Sequence, residues 1–215
     1  MTVDLVLIRH GETEWSAAHK HTGRTDIPLT AMGRRQAEAL GRQIADRQFA
    51  AVISSPLSRA LETCRIAGLA EGAWISDDAM EWDYGVYEGT VTAEIRRREP
   101  LWSVWTHPIP RGESVEEVGV RADEVIERAH YLAQRHLGEH RDDPAQVAVF
   151  AHGHFLRILG ARWVGLPATA GQLLALDTAT ICELGHERET RVVRLWNQGC
   201  HLDSITDDVA DGGPV

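Results

Sequence analysis

Cysteine is scarce in this 215-residue chain: three residues, Cys64, Cys182 and Cys200, far apart and without a CxxC pair. An odd, scattered set excludes a disulfide framework and a zinc knuckle, and leaves reduced thiols packed as small apolar groups. No apolar run approaches the ~20 residues that a membrane span needs. No basic segment precedes the first apolar run, Val3 to Ile8, so no targeting peptide is legible and a reducing cytoplasm is the expected compartment. Positive charge is outweighed as well. A formal net charge of −10 argues against a nucleic-acid surface. A small phosphate remains admissible wherever Arg and His cluster locally. Internal repeats and low-complexity stretches are absent.

The length fits one domain, expected over residues 1–202. The last stretch, 203–215, holds four Asp and two Gly with few apolar residues, and reads as a solvated, mobile acidic tail. Val3 to Ile8 is almost wholly apolar and suits a strand buried on both faces. It stops on Arg9-His10-Gly11, which delivers a planar cation and an imidazole to the end of a sheet, where open α/β sheets bind ligands. Thr30 is placed to cap a helix whose apolar face is Ala37, Leu40, Gly41 and Ile44. Arg34, Arg35, Glu38 and Arg42 fall on the solvated side.

Ala50 to Ile53 repeats the first unit: strand, polar turn Ser54-Ser55-Pro56, then a helix from Leu57 with Arg59 in its first turn. Arg59 is there either a surface residue or an anion donor at a helix N-terminus. Trp74 to Ser76 reads as a short strand. It leads into Glu81-Trp82-Asp83-Tyr84-Gly85-Val86-Tyr87-Glu88-Gly89. Aromatics around a carboxyl raise its pKa and make a general acid, with Glu81, Asp83 and Glu88 all eligible. Thr92 is placed to cap a short helix to about Glu99. Residues 100–114, with Trp102 and Trp105, read as a lid or as a packed loop. Ser114 and Glu117 form a capping-box pattern ahead of a long amphipathic helix ending near Gly138. Val147 to Ala151 is another buried strand, ending in His152-Gly153-His154, and a helix follows from Phe155 to Val164. No cluster of metal-ligand spacing supports a metal site at this His-x-His. Ala179 to Leu184 and Arg191 to Trp196 read as a final hairpin across Gly185 to Thr190.

Taken together, Leu7-Ile8-Arg9-His10-Gly11-Glu12-Thr13, Ser54 to Thr63, Glu81 to Gly89 and Ala151 to Arg157 resemble, in order and spacing, the histidine phosphatase superfamily, the phosphoglycerate mutase-like proteins. The match runs over roughly residues 3–165, and the acidic stretch is closer to the broad-specificity acid phosphatase branch. The resemblance implies an α/β fold, three layers α/β/α with a mostly parallel central sheet. It implies a metal-independent phosphomonoesterase acting on small phosphorylated metabolites, without a cofactor. His10 would become a phosphohistidine. Arg9, Arg59 and His152 would hold the phosphoryl oxygens, and Glu81 would serve as acid and then base. Gly11, Ser16 (an Asn in the family), Thr22, Gly23 and Gly153 would line the substrate. A second histidine beside the anion, His152, is expected charged while His10 stays neutral, with a mildly acidic optimum. Phosphoglycerate mutase, with Arg96 to Arg98 binding a carboxylate, and sugar-bisphosphate phosphatase, with Glu113 as a second acid, are the alternatives.

Overall fold

The computed structural model describes residues 2–139, 145–203 and 205. Among these, the strands β1 (Asp4–Arg9), β2 (Ala51–Ser54), β3 (Trp74–Ile75), β4 (Gln146–Ala151), β5 (Ile181–Glu187) and β6 (Thr190–Gln198) form one sheet in the order β3-β2-β4-β1-β5-β6. The helices are α1 (Glu14–Ala17), α2 (Ala31–Ile44), α3 (Ser58–Ile66), α4 (Thr92–Arg96), α5 (Val115–Glu139) and α6 (Gly153–Trp163).

Strand alternation sets the three layers. Successive side chains of a strand point to opposite faces. In β1, Leu5 and Leu7 join one core and Val6 and Ile8 the other; in β4, Val147, Val149 and Ala151 separate in the same way from Ala148 and Phe150. The first core is completed by Val118, Ala122 and Val125 of α5 and Phe155 and Ile158 of α6. The second is completed by Leu40 and Ile44 of α2 and Cys64 of α3. Each fully buried aliphatic side chain contributes about 1.5–3 kcal/mol. Strand β5 pairs antiparallel with both β1 and β6, and the other pairings are parallel, so the sheet is mixed with β5 alone reversed. No helix among the described residues is long and apolar enough to cross a membrane.

Register positions the site. Arg9 pairs with Ala151 and Ser54 with Phe150, so β1, β2 and β4 end level with one another. The next residues continue the ladder: His10 N–H donates to the Ala151 carbonyl and Ser55 N–H to that of Phe150, both at 3.0 Å. His10 and His152, far apart in sequence, thereby meet at the carboxyl edge of the sheet.

Several local expectations are corrected. Thr92 is not a cap: it is the first residue of α4, Val91 precedes it without a side-chain cap, and the Thr92 hydroxyl instead meets His21 Nε2 at 3.2 Å. Helix α4 stops at Arg96 rather than Glu99. The final strands run longer than expected, leaving a two-residue turn at Arg188 and Glu189 with Arg188 at φ 56°. The segment 100–114 is no lid: Trp102, Val104, Trp105 and Ile109 are buried in the larger core. Cys64 and Cys182 are buried and burial pushes both thiols up to about 12, but Cys200 is exposed. At the start of the expected tail, Ile205 is buried; Ser204 and residues 206–215 lie outside the described residues.

Candidate active site

A cavity of about 220 Å³ opens at the carboxyl ends of β1 and β4, with Arg9, His10, Glu81 and Gly153 among its walls. His10 is 5 % exposed. Its Nδ1 lies 2.7 Å from the carbonyl oxygen of Gly11, which can only accept, so Nδ1 carries the proton and Nε2 is the bare lone pair. Burial, then Arg59 and Arg9, push the His10 pKa well below its ordinary value, so the ring is neutral near pH 7. Behind it, Thr63 of α3 accepts from the Gly11 N–H at 3.0 Å and donates to the Arg59 carbonyl at 2.7 Å. Gly11 is fixed by packing as well: a Cβ there would lie 2.4 Å from the Gly33 carbonyl oxygen. Gly11 is thus a close-approach residue that sets the position of His10 and does not line the cavity.

Arg9 is held from one side only. Nη1 donates to the Leu176 carbonyl at 2.5 Å, while the buried Nε has no partner among the described residues. An unsatisfied guanidinium N–H in a buried setting is costly, and an oxyanion satisfies it. Gly153 keeps the space beside it open, since a Cβ there would stand 3.3 Å from Arg9 Cζ and Nε.

Arg59 and His152 are both fully buried beside His10 and are not among the residues that line the cavity. Arg59 donates from Nε to His152 Nδ1 at 3.2 Å, from Nη1 to the Thr25 carbonyl at 3.1 Å, and from Nη2 to the carbonyls of Gly23 at 2.8 Å and Thr22 at 3.3 Å. His152 therefore accepts at Nδ1 and donates from Nε2 to Ser55 Oγ at 2.8 Å. A charged ring would face Arg59 donor to donor. Burial, then Arg59, His10 and Arg9, hold its pKa well below the ordinary value, which runs against the expectation of a charged His152. The rings of His10 and His152 meet edge to face with centroids 5.1 Å apart.

Both helix N-termini at the sheet edge are already filled. Asp26 Oδ1 accepts from the Ser58 N–H and hydroxyl and so caps α3. Glu81 caps α6: Oε1 accepts from the N–H groups of Phe155 at 2.8 Å and Trp82 at 2.9 Å, and Oε2 from His154 N–H at 3.0 Å. The bare aromatic surrounding expected for this acid is corrected to a cradle of backbone donors. Trp82 itself is core. The competing acids are engaged elsewhere. Glu88 binds the Arg24 and Thr25 N–H groups and the Thr25 hydroxyl. Asp83 accepts from Gly85 N–H. Glu113 takes both Nε and Nη2 of Arg121 at 2.8 Å, with Arg24 at 3.3 Å. Of these carboxylates only Glu81 lines the cavity. No group of three or more metal-binding side chains occurs among the described residues.

Comparison with known proteins gives the family. Residues 5–199 match the sequence profile of the histidine phosphatase superfamily (branch 1). The chain belongs to that superfamily. An acid phosphatase of Mycobacterium tuberculosis is 43 % identical over 189 residues, covering 87 % of this chain and 88 % of that one. A sedoheptulose 1,7-bisphosphatase of Saccharomyces cerevisiae is 33 % identical, covering 77 % and 69 %. Probable phosphoglycerate mutases are also related, that of Serratia proteamaculans at 29 % over 90 % of each chain. A solved structure from M. tuberculosis superposes with a TM-score of 0.81 at 40 % identity, covering 92 % of this chain and 98 % of that one.

In this histidine phosphatase fold the first loop contributes less directly than its sequence implies. Ser16 lines the cavity, but its hydroxyl donates to the Thr13 carbonyl and accepts the Thr13 N–H in the cap of α1. Thr22 lines the cavity with its hydroxyl donated to the Lys20 carbonyl. Gly23 lies behind it, where a Cβ would meet Glu88 Oε1 at 2.1 Å and the Trp82 carbonyl at 2.3 Å. Sequence reasoning missed Lys20, Tyr84, Arg157 and Leu176 as cavity residues. Arg157 carried a usable signal, one turn after His154 on the same helix. Leu176 acts through its carbonyl, for which no side-chain pattern exists.

Proposed function

We propose that this chain is a metal-independent phosphomonoesterase that transfers a phosphoryl group from a small phosphorylated metabolite to His10 and then to water. The observation that carries the reading is the pairing, in one cavity, of a bare His10 Nε2 with an unpartnered Arg9 Nε. In the first step Nε2 attacks phosphorus in line, the P–N bond forms, the P–O bond breaks, and the leaving oxygen takes a proton from Glu81. The three N–H donors around Glu81 stabilise the carboxylate that results. In the second step water attacks phosphorus, Glu81 takes its proton, a P–O bond forms, and the P–N bond breaks with its electron pair returning to His10 Nε2 as phosphate leaves. Arg9 offsets the charge on the transferring oxygens. Arg59 contributes by its charge and by fixing the carbonyls of Thr22, Gly23 and Thr25, and His152 by orienting Arg59. The Arg cations supply the positive charge that a metal supplies in other phosphoryl-transfer sites. Neutral His10 stays nucleophilic below pH 6.5, which fits a mildly acidic optimum.

The test is phosphate release from a panel of esters with chelator present, between pH 5 and 8. Release that survives chelator and is lost in His10→Ala supports the reading; release retained by that variant overturns it. One observation favours a second reading, a sugar bisphosphate as substrate: Lys20 and Arg157 line the same cavity, whose sole carboxylate among the described residues is Glu81. A second phosphate would be held there. A KM for a bisphosphate well below that for its monophosphate would support it, and interconversion of phosphoglycerates with little release would instead mark a mutase.

A further inference from the structure

Tyr84 and His154 both face the cavity, and nothing in the transfer steps uses them. The Tyr84 hydroxyl lies 2.5 Å from His154 Nδ1 and has no other partner among the described residues. The phenol is 2 % exposed. Burial, with Glu81 and Glu88 nearby, pushes its pKa well above the ordinary value, so it keeps its proton. Burial, then Arg157, His21 and Arg9, push His154 the opposite way, so the imidazole is neutral. A neutral phenol beside a neutral imidazole nitrogen, with no other acceptor for the phenol, places the O–H as donor and Nδ1 as acceptor. The single imidazole proton is then on Nε2.

The ring is also held mechanically. Trp105 meets it edge to face at 5.1 Å and Tyr84 at 5.8 Å, Trp82 does so at 6.1 Å, and His21 stacks on it at 6.4 Å. Its own backbone N–H is tied to Glu81 Oε2. The remaining polar atom, Nε2, has no protein partner among the described residues. This leaves an uncharged N–H donor on a residue that lines the same cavity as Glu81 and is bonded to it through the backbone.

We propose that His154, locked in its Nε2–H form by Tyr84, is a specificity-determining donor to an oxygen of the leaving group, so that polyhydroxylated esters are preferred over aryl esters. This rests on the phosphomonoesterase reading above and names the substrate class for it. A site built to give a hydrogen bond discriminates against a ligand without the acceptor, because the donor is left unpaired.

The test compares a sugar monophosphate, glucose 6-phosphate, with 4-nitrophenyl phosphate in the wild type, His154→Ala, His154→Gln and Tyr84→Phe. The expected result is that His154→Ala lowers the sugar-to-aryl ratio of kcat/KM about tenfold, the size of one hydrogen bond, chiefly through KM. His154→Gln, which restores a side-chain N–H, recovers part of the ratio. Nitrogen-15 shifts of the His154 ring read the tautomer directly: Nε2–H in the wild type, and a mixture in Tyr84→Phe. Equal losses on both esters in His154→Ala, or an Nδ1–H ring in the wild type, overturn the proposal while leaving the phosphatase reading intact. Release from neither ester by the wild type sinks both.

Discussion

Replacing Gly153 by alanine separates the stability of the fold from the work of its cavity. Gly153 is the first residue of α6, with no positive φ to strain a side chain. A methyl group there would stand 3.3 Å from Arg9 Cζ and Nε and 3.7 Å from Nη1, against the roughly 3.5–4.0 Å of a relaxed contact. The guanidinium must give by a few tenths of an ångström, and its tether to the Leu176 carbonyl limits where it can go. The unpartnered Nε is one of the two atoms pushed. Losing a transition-state donor outright costs about 2.7–4 kcal/mol. A displaced donor loses a part of that, and roughly tenfold in kcat/KM, about 1.4 kcal/mol, is the expected fall. Alanine is meanwhile the better helix former by up to about 1 kcal/mol. Thermal unfolding should therefore be unchanged or raised by about 2–4 °C. The assay is steady-state phosphate release beside a thermal melt of the same preparation. Unchanged kcat/KM would refute the argument that Gly153 exists to leave room for Arg9. A marked loss of stability would show that the methyl disturbs the helix start instead.

Three more outcomes are expected. Thr63→Val removes the acceptor for Gly11 N–H; it should cost about 1–3 kcal/mol in denaturant unfolding and lower kcat more than it raises KM, with Thr63→Ser close to wild type, and a normal kcat would refute the link from α3 to His10. Acid should destabilise the fold below pH 6.5. Burial lowers His21 from 6.5 to about 4, so the unfolded chain takes up the proton first, and stability is lost as pH falls from 6.5 toward 4. By pH 5 that amounts to about 2 kcal/mol for His21 alone; His10, His152 and His154 act in the same direction. Urea unfolding at pH 7 and 5 should show a smaller drop in His21→Gln, and an equal drop would count against it. Glu113→Gln should lower stability by about 1–3 kcal/mol through its Arg121 pair yet leave the pH profile of kcat/KM in place; a shifted acid limb would return Glu113 to the chemistry.

The sequence by itself determined the strands, the helical faces and the ends at which chemistry gathers. Burial on both faces of Val3 to Ile8 and Val147 to Ala151 demands helices above and below, and local spacing carries that information. Arg9-His10-Gly11 at a strand end was legible for the same reason, as was the Ser114–Glu117 cap, whereas Arg59, Glu81 and His152 were singled out by the family resemblance. What tertiary structure alone decided is which group faces the cavity and in which protonation state. That depends on parallel register, which sets His10 beside His152, and on donors distant in sequence: Asp26 at α3, Glu81 at α6, the carbonyls of Thr22, Gly23 and Leu176. Backbone carbonyls leave no trace in residue identity, so a sequence can name Arg59 and His152 without revealing that they hold each other. The neutral state of His152, and the placing of Glu81 rather than Asp83, Glu88 or Glu113 in the cavity wall, follow from those partners and from burial.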